Sequence, residues 1–249
     1  MVLVFVPEGE FLMGASSADP EAFDNEKPQH NVYLEAYWID STEVTNAMYA
    51  LCVADGACTP PGEDASFSRS PYYSHPTCAG YPVIQVTWQQ AQDYCEWAGR
   101  RLPTEAEWEK AARGTDGRIY PWGNQPPDGT RANLCGSECP NEANVPSIDD
   151  GFFDTAPVGT YPAGASPYGA LDMAGNVWEW VADWWQPDYY ATSPTVNPSG
   201  PSNGDTSVAR GGSFANPPTG IRTTVRASLL PTASTAEFGG FRCAISTGD

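Results

Sequence analysis

Hydrophobic and polar residues follow two kinds of spacing in the first half of the chain, one typical of strands and one typical of helices. Residues 1–14 contain two apolar runs on either side of a turn at 7–9, and this arrangement predicts a β-hairpin. The aromatic and β-branched runs at 32–34 and 36–40 predict further strands. The N-terminal region is therefore expected to be mainly strand.

Helical spacing of apolar residues follows three threonines that are suited to capping a first turn, Thr45, Thr87 and Thr104. Thr87 and Thr104 are also followed three positions later by Gln or Glu, which is the spacing of a capping box. Gly99 and Gly114 stand where a C-terminal glycine ends a helix. We expect the second and third of these segments to be the two main helices.

After residue 120 the helical spacing disappears, and turn residues alternate with short apolar runs. The 24 glycines and 24 prolines, with 41% hydrophobic residues, are typical of a compact, loop-rich fold. No linker divides the sequence, so we expect one domain over residues 1–249. Because the sequence starts directly on a predicted strand, we expect this domain to be excised from, or C-terminal in, a longer protein.

One stretch near residue 175 concentrates tryptophans, glycines and carboxylates. Trp178 and Trp180 lie two positions apart, so an extended strand would place both indoles on one face. Asp172 and Glu179 offer oxygen atoms on either side of a turn at Gly175, which is the type of ligand that calcium prefers. The alternative is an aromatic core strand with two solvated acids. Spacing alone favours that alternative, because the acids lack the close spacing of an EF-hand loop.

The charge balance narrows the range of partners. The sequence has 31 acidic and 12 basic residues, and its formal net charge is −19. Binding to phosphate backbones needs a basic surface, so we expect no nucleic-acid partner. The chain has no run of about 18 apolar residues, and its start is too short for a signal peptide. We therefore expect neither a membrane segment nor an export signal in this chain.

Four of the seven cysteines flank short loops. Cys52 and Cys58 enclose one loop, and Cys135 and Cys139 enclose another, so each pair is placed to form a local disulfide. Zinc is a weaker alternative, because neither pair has CxxC spacing. Disulfides favour an oxidising location, which is extracellular, periplasmic or surface-exposed. The remaining cysteines are Cys78, Cys95 and Cys243, so at least one thiol stays unpaired.

Several motifs follow one another from the start of the chain to its end. They are Gly-x-Phe-x-Met-Gly at 9–14, Glu-Val-Thr-Asn at 43–46, the segments 82–88 and 101–109, the tryptophan-rich stretch, Arg-Gly-Gly-Ser-Phe at 210–214 and Gly-Phe-Arg at 240–242. Together they resemble the formylglycine-generating enzyme (sulfatase-modifying factor) family over nearly the whole chain. The resemblance implies an α+β variant of the C-type lectin fold, loop-rich, with two main helices beside twisted antiparallel sheets. It also implies bound calcium. We expect a bacterial or archaeal source.

The resemblance assigns two calcium sites and one further disulfide. The first site would take the Asn133 side chain, the Leu134 carbonyl, the Asp150 carboxylate and the Phe152 carbonyl. The second would take Asp172, the carbonyls of Gly175 and Val177, and Glu179. The family often has asparagine at the position of Asp172, and aspartate adds a charge without removing an oxygen. The implied Cys95–Cys243 bond would bring the total to three disulfides and leave Cys78 free.

Catalysis is where the resemblance fails. Active members of the family oxidise a substrate cysteine with oxygen and copper, using two cysteines that follow the Arg-Gly-Gly-Ser-Phe motif. Copper(I) needs soft thiolate ligands, yet residues 214–222 contain no cysteine, and Asn216 falls at the first cysteine position. The segment before Arg226 is also about three residues shorter than in the family. We therefore expect no copper, no catalytic residues and no family oxidase activity. Related sulfoxide synthases need a histidine triad, which two histidines do not supply.

The segment 214–238 is small, mixed and nearly uncharged, and it resembles the ligand surface of variable proteins from diversity-generating retroelements. The alternative is an ordinary non-catalytic relative, and the sequence leaves both open. The candidate ligand-binding residues are Phe214, Ala215, Asn216, Pro217, Thr219, Ile221, Thr223, Val225, Ala227, Leu229, Leu230, Ala233, Thr235, Glu237 and Phe238. Aromatic residues elsewhere are further candidates, although packing in the core or at its rim is the favoured alternative for each: Tyr72, Tyr73, Trp184, Trp185, Tyr189 and Tyr190.

Three hypotheses follow from these features. The leading one is a non-catalytic ligand-binding domain on a calcium-stabilised scaffold, acting as a monomer on a protein or surface ligand. The second is an oxidoreductase that resembles formylglycine-generating enzyme and keeps its chemistry with other ligands. The third is a sensory or structural domain of a bacterial signalling kinase.

Overall fold

The computed structural model describes residues 1–137, 145, 147–232 and 239–248. Within these residues the chain forms three α-helices and nine β-strands, joined by long loops. The helices are α1 (Asn46–Ala54), α2 (Trp88–Trp97) and α3 (Glu105–Arg113). The strands are β1 (Leu3–Val6), β2 (Gly9–Met13), β3 (His30–Leu34), β4 (Tyr37–Asp40), β5 (Trp178–Trp184), β6 (Ser207–Arg210), β7 (Arg226–Leu229), β8 (Gly239–Phe241) and β9 (Ala244–Ser246). This arrangement confirms the predicted α+β, loop-rich class.

The helices form where the threonine caps predict them. The hydroxyl oxygens of Thr45, Thr87 and Thr104 each accept a hydrogen bond from the backbone amide three residues later. The last two caps form complete capping boxes, in which the side chain at the third helical position returns a bond. α3 ends at Gly114, whose φ of 67° lies in the left-handed region. In the described ranges, no helix is long and apolar enough to cross a membrane.

The first two strands do not pair with each other, so the predicted hairpin over residues 1–14 is wrong. β1 pairs antiparallel with β4, which also pairs antiparallel with β9. β2 instead pairs antiparallel with β3 in a separate sheet. Lys110 of α3 donates from Nζ to the carbonyls of Pro7 and Gly9, at 2.8 Å each. These two hydrogen bonds hold residues 7–9 as a connection between two sheets. The sequence analysis predicted a tight hairpin turn at the same residues.

β5 lies inside the largest sheet, whose strand order is β7-β6-β5-β8. Trp180 belongs to one apolar core, with Trp178 packed against it, whereas Val181 belongs to a second core. The predicted placement of both indoles on one face is therefore confirmed. β5 pairs antiparallel with β6 but parallel with β8, which departs from the predicted antiparallel arrangement. β7 and β8, which are consecutive in the chain, lie at opposite edges of this sheet.

Four buried ion pairs attach the C-terminal third of the chain to earlier elements. They are Arg210–Glu109, Arg222–Glu26, Arg226–Glu105 and Arg242–Glu179, and the shortest N–O distance in each is 2.6 Å. A buried charge is tolerated only when it is paired and hydrogen-bonded. These pairs therefore fix the register of the loops that they join.

The disulfides follow the predicted scheme as far as the structure describes them. The Cys52–Cys58 and Cys95–Cys243 bonds are both present, which confirms these two predictions. Cys135 is also disulfide-bonded, and its predicted partner Cys139 lies outside the described residues. Cys78 is free and buried, as predicted.

We expect the long-range disulfide to stabilise the chain more than the local one. Its cysteines are 148 residues apart, whereas those of the local bond are 6 apart. Chain entropy gives about 5 kcal/mol for the Cys95–Cys243 bond and about 2 kcal/mol for the Cys52–Cys58 bond. Denaturant unfolding of Cys95→Ser/Cys243→Ser and of Cys52→Ser/Cys58→Ser measures the two losses. Equal losses in the free energy of unfolding would contradict this expectation.

Candidate functional site

Asn216, at the position that the resemblance assigns to a copper-binding cysteine, closes a tight loop. Its Oδ1 accepts hydrogen bonds from the backbone amide and the hydroxyl of Ser213, both at 2.9 Å. Its carbonyl accepts a hydrogen bond from the Cys135 amide at 2.9 Å. The loop packs closely on Gly212, where a Cβ atom would lie 2.5 Å from the Gly220 carbonyl oxygen. Asn216 is therefore a structural cap of this loop.

Cys78 is the one free thiol among the described cysteines, and it is buried. Cys78 packs in a small apolar cluster with Tyr72, Ile84 and Val177. The other cysteines in the described ranges are all in disulfides. In the same ranges, no group of three or more His, Cys, Asp or Glu side chains is arranged to hold a metal ion. The described residues thus do not supply the pair of thiolates that copper(I) favours.

The predicted ligand-binding segment is only partly exposed. Four of the candidates are buried and support the surface from beneath, which corrects their assignment as surface residues: Phe214, Ile221, Thr223 and Val225. The candidates with solvent contact are Ala215, Asn216, Pro217, Thr219, Ala227, Leu229 and Leu230. The last four candidates, Ala233, Thr235, Glu237 and Phe238, lie outside the described residues.

Framework contacts explain why the middle of this segment is buried. The Thr223 hydroxyl donates a hydrogen bond to the Ile119 carbonyl at 3.1 Å. The Thr223 amide donates to the same carbonyl. Arg222 donates two hydrogen bonds to Glu26, at 2.6 and 2.9 Å. Arg226 lies over the ring of Tyr190, 4.1 Å from its centroid. The segment is therefore anchored in its middle, and its exposed parts lie on either side.

A groove with a volume of about 420 Å³ borders the exposed loop 215–219. Its lining is largely apolar and includes Ile119, Tyr120, Pro126, Pro127, Ile148 and Pro218. Tyr120 stacks on Trp122 with ring centroids 5.0 Å apart and planes only 3° from parallel. Concave, mainly apolar surfaces with a few polar groups are typical of ligand sites. The groove and the loop together form the candidate ligand surface.

The more distant aromatic candidates divide into core and partly exposed residues. Tyr72 and Tyr190 are buried, and their hydroxyls donate to the Pro82 carbonyl and to Glu105 Oε1. These two residues are therefore core residues, which is the alternative that the sequence favoured for them. The half-buried candidates are Tyr73, Trp184, Trp185 and Tyr189.

Two members of the first predicted calcium set, Leu134 and Phe152, lie at the Asp150 carboxylate. This carboxylate accepts hydrogen bonds from the amides of Leu134 and Phe152, at 2.9 and 3.0 Å. Burial raises the pKa of the Asp150 carboxyl above its ordinary value. The Asn133 side chain is buried, and its Oδ1 has no hydrogen-bond partner. An unpaired amide oxygen and a desolvated carboxylate fit a hard, oxygen-liganded cation.

The second predicted set is brought only partly together. Gly175 packs closely on Asn133, since a Cβ atom there would lie 2.0 Å from the Asn133 carbonyl oxygen. Asp172 accepts a hydrogen bond from the Gly159 amide at 2.6 Å and lies against Glu43. Glu179, in contrast, is held by the buried guanidinium of Arg242. Val177 is buried in the apolar cluster around Cys78. The second site in its predicted composition stays a prediction.

Two residues of this region, Glu43 and Asn176, were missed by the sequence analysis. Asn176 Oδ1 accepts hydrogen bonds from the Ala156 amide and from Asn133 Nδ2, at 2.9 and 3.1 Å. Asn176 Nδ2 donates to Glu43 Oε1 at 2.9 Å. Asn176 thus connects the two predicted calcium sets. Both residues lie inside motifs that carry the family resemblance, and that was the signal available in the sequence.

Comparisons with known proteins agree with this geometry. Residues 2–247 match the Sulfatase-modifying factor enzyme 1-like domain. The chain is 38% identical over 283 residues to the formylglycine-generating enzyme of Streptomyces coelicolor, which covers 97% of this chain and 88% of that protein. It is 32% identical over 289 residues to the inactive C-alpha-formylglycine-generating enzyme 2 of Mus musculus, which covers 99% of this chain and 86% of that protein.

The fold is also found in a solved structure of more distant sequence. Treponema denticola variable protein 1 superposes with a TM-score of 0.72 and 22% identity, covering 97% of this chain and 94% of that one. At this identity the likeness shows the fold, and it confirms the predicted fold type. The match of nearly every residue to one domain shows that this chain belongs to the sulfatase-modifying factor (formylglycine-generating enzyme) family.

Proposed function

We propose that this chain is a non-catalytic ligand-binding domain of its family, with the loop 215–219 and the adjoining groove as its binding surface. The observation that carries the proposal is the role of Asn216, which caps a loop where catalysis would need a thiol. An amide does not bind copper(I) as thiolates do. The family includes a relative named as inactive, 32% identical to this chain, beside a formylglycine-generating enzyme that is 38% identical.

The groove favours a polypeptide ligand with apolar side chains. Its prolines and Tyr120, which stacks on Trp122 behind it, form rigid, largely apolar walls. Aromatic-lined grooves are a recurring means of binding extended peptide segments. The net charge of −19 disfavours polyanionic ligands. A fold shared with a variable protein supports this use of the scaffold.

We also propose a calcium ion at Asn133, Leu134, Asp150 and Phe152, which would order the loop beside the groove. Ile148, two residues before Asp150, lines the groove, so the metal set and the ligand surface share one segment. The two described disulfides support an oxidising location, such as the periplasm, the cell surface or the extracellular space. A sensory domain of a signalling kinase would use the same surface, since it also acts by binding.

The oxidoreductase alternative is tested with copper(I). We expect the purified chain to lose copper(I) to a chromogenic chelator, and to leave a cysteine-containing sulfatase-type peptide unchanged by mass spectrometry. The physical reason is that Cys78 is buried without a second thiol in its cluster. Cys78→Ser is the matched control. One retained copper per chain that disappears in Cys78→Ser, or conversion of the peptide, would overturn the proposal.

Calcium at the first set is tested by thermal melting with calcium and with a chelator. We expect calcium to raise the melting temperature of the wild type, and Asp150→Asn to lose much of that rise because a charged ligand is removed. Asp149→Asn is the matched control, since Asp149 is the exposed neighbour. The calcium-dependent rise is compared within each variant, which separates metal binding from the hydrogen bonds that Asp150 accepts. An equal rise in all three proteins would contradict the assignment.

The groove is tested with a displayed library of random peptides selected on the wild-type chain. We expect the selected peptides to bind Ile119→Glu at least about tenfold more weakly, because a charge in an apolar groove is poorly solvated. Ile119 lines the groove and is 40% exposed, so its substitution should leave the fold intact. The control is Leu51→Glu, at a residue of α1 that is 63% exposed and does not line the groove. Equal loss in both variants would contradict the assignment of the groove.

A further inference from the structure

A second cavity lies between α2, the connector 98–104 that leads to α3, and β5. Its volume is about 230 Å³. Clefts that hold whole small molecules begin at about 300 Å³, so this cavity is sized for a single side chain. Its apolar lining consists of Trp88 at the start of α2, Leu102 of the connector and Ala182 of β5. It shares no lining residue with the groove beside the loop 215–219.

The apolar walls of this cavity are held in place by hydrogen bonds and ring stacking. Trp88 Nε1 donates a hydrogen bond to the Val181 carbonyl at 2.7 Å, and the Trp88 ring stacks on Trp184 with centroids 5.9 Å apart. The Ala182 amide donates to the Pro103 carbonyl at 2.9 Å, which ties the connector to β5. A ligand side chain would therefore enter a preformed site and lose little binding energy to rearrangement of the protein.

The rim of the cavity carries one uncompensated negative charge. Two charged side chains line the cavity, Glu96 and Arg101. Both terminal nitrogens of Arg101 donate to Glu107 at 2.7 Å, so the charge of Arg101 is compensated. Glu96 Oε1 accepts a hydrogen bond from Gln92 Nε2 at 2.7 Å, and no basic residue in the described part of the chain forms an ion pair with Glu96. The cavity thus combines an apolar floor with a carboxylate that lacks a cation.

We propose that this cavity binds a lysine side chain of a partner polypeptide. The aliphatic stem of the lysine packs on Trp88, Leu102 and Ala182, and its ammonium group lies at the rim beside Glu96. The indole wall adds attraction for a cation. Lysine fits better than arginine, because Gln92 already occupies one Glu96 oxygen and leaves no free oxygen pair for the planar guanidinium fork. The net charge of −19 attracts a basic partner over longer distances.

The test is titration of the isotope-labelled full chain with Nα-acetyl-lysine methylamide at low ionic strength, followed by the assigned indole N–H signal of Trp88 in NMR spectra. We expect a saturable shift of that signal. Acetylation of the probe at Nε removes its charge, and it should weaken binding about threefold, as for the loss of one exposed ion pair. Glu96→Gln should weaken binding of the charged probe by about the same factor. Glu96 is exposed, so this substitution should leave the fold intact.

Asp93→Asn is the matched control and should leave the affinity for the charged probe unchanged. Asp93 accepts a hydrogen bond from Gln89 Nε2 at 2.8 Å, with the same spacing along α2 as Gln92 and Glu96, but it does not line the cavity. A cavity that takes any apolar side chain would bind the acetylated probe as tightly as the charged one, and this result would overturn the proposal. Equal affinity of the wild type and Glu96→Gln, equal losses in Glu96→Gln and Asp93→Asn, or no saturable shift would overturn it as well. None of these outcomes bears on peptide binding in the groove, whose lining residues are different.

Discussion

The Arg242–Glu179 ion pair connects four parts of the chain at one buried point. Arg242 follows β8, and Glu179 lies on β5, the strand with which β8 pairs. The same guanidinium donates to the carbonyls of Asp40, at the end of β4, and of Leu171, before β5. Removing one partner of a buried ion pair typically costs about 3–5 kcal/mol, so the positions of these segments depend on this contact. Arg242 donates to both carboxylate oxygens of Glu179 in this pair.

The other buried arginines extend this constraint to the C-terminal segment. Arg210, Arg222 and Arg226 bind glutamates on α3 and on the loop before β3. The segment that follows the Arg-Gly-Gly-Ser-Phe motif is therefore fixed at its start and in its middle. Solvent reaches it at the loop 215–219 and along the outer side of β7. Changes of sequence there would alter the ligand surface without disturbing the ion pairs, which is how one fold supports different functions.

Local signals in the sequence were sufficient for the helices and insufficient for the pairing of strands. Thr87 and Thr104 cap their helices through bonds to residues three positions away, so the sequence contains all of the information needed. The first two strands fail as a hairpin because Lys110, about a hundred residues later, holds their connection. The spacing of apolar residues at 1–14 gives no information about that contact.

The candidate site shows the same division between local and distant information. The absence of cysteine from residues 214–222 was readable directly, whereas the burial of Ile221 and Thr223 depends on contacts with distant loops. Contact between Glu43 and Asp172 joins residues more than a hundred positions apart. Each of the two was visible inside its own motif. Their carboxyl groups affect each other's pKa only because the fold buries them side by side.

Position 216 carries an amide where the family resemblance implies a thiol, and the difference matters for both chemistry and shape. A thiol sulfur is a weak acceptor, whereas Asn216 Oδ1 accepts two hydrogen bonds from Ser213 at 2.9 Å. The amide therefore holds the loop in one conformation while it removes the soft ligand that copper(I) requires. A loop that is already ordered loses less conformational entropy when a ligand binds beside it. The side chain of Asn216 thus orders the loop that borders the groove.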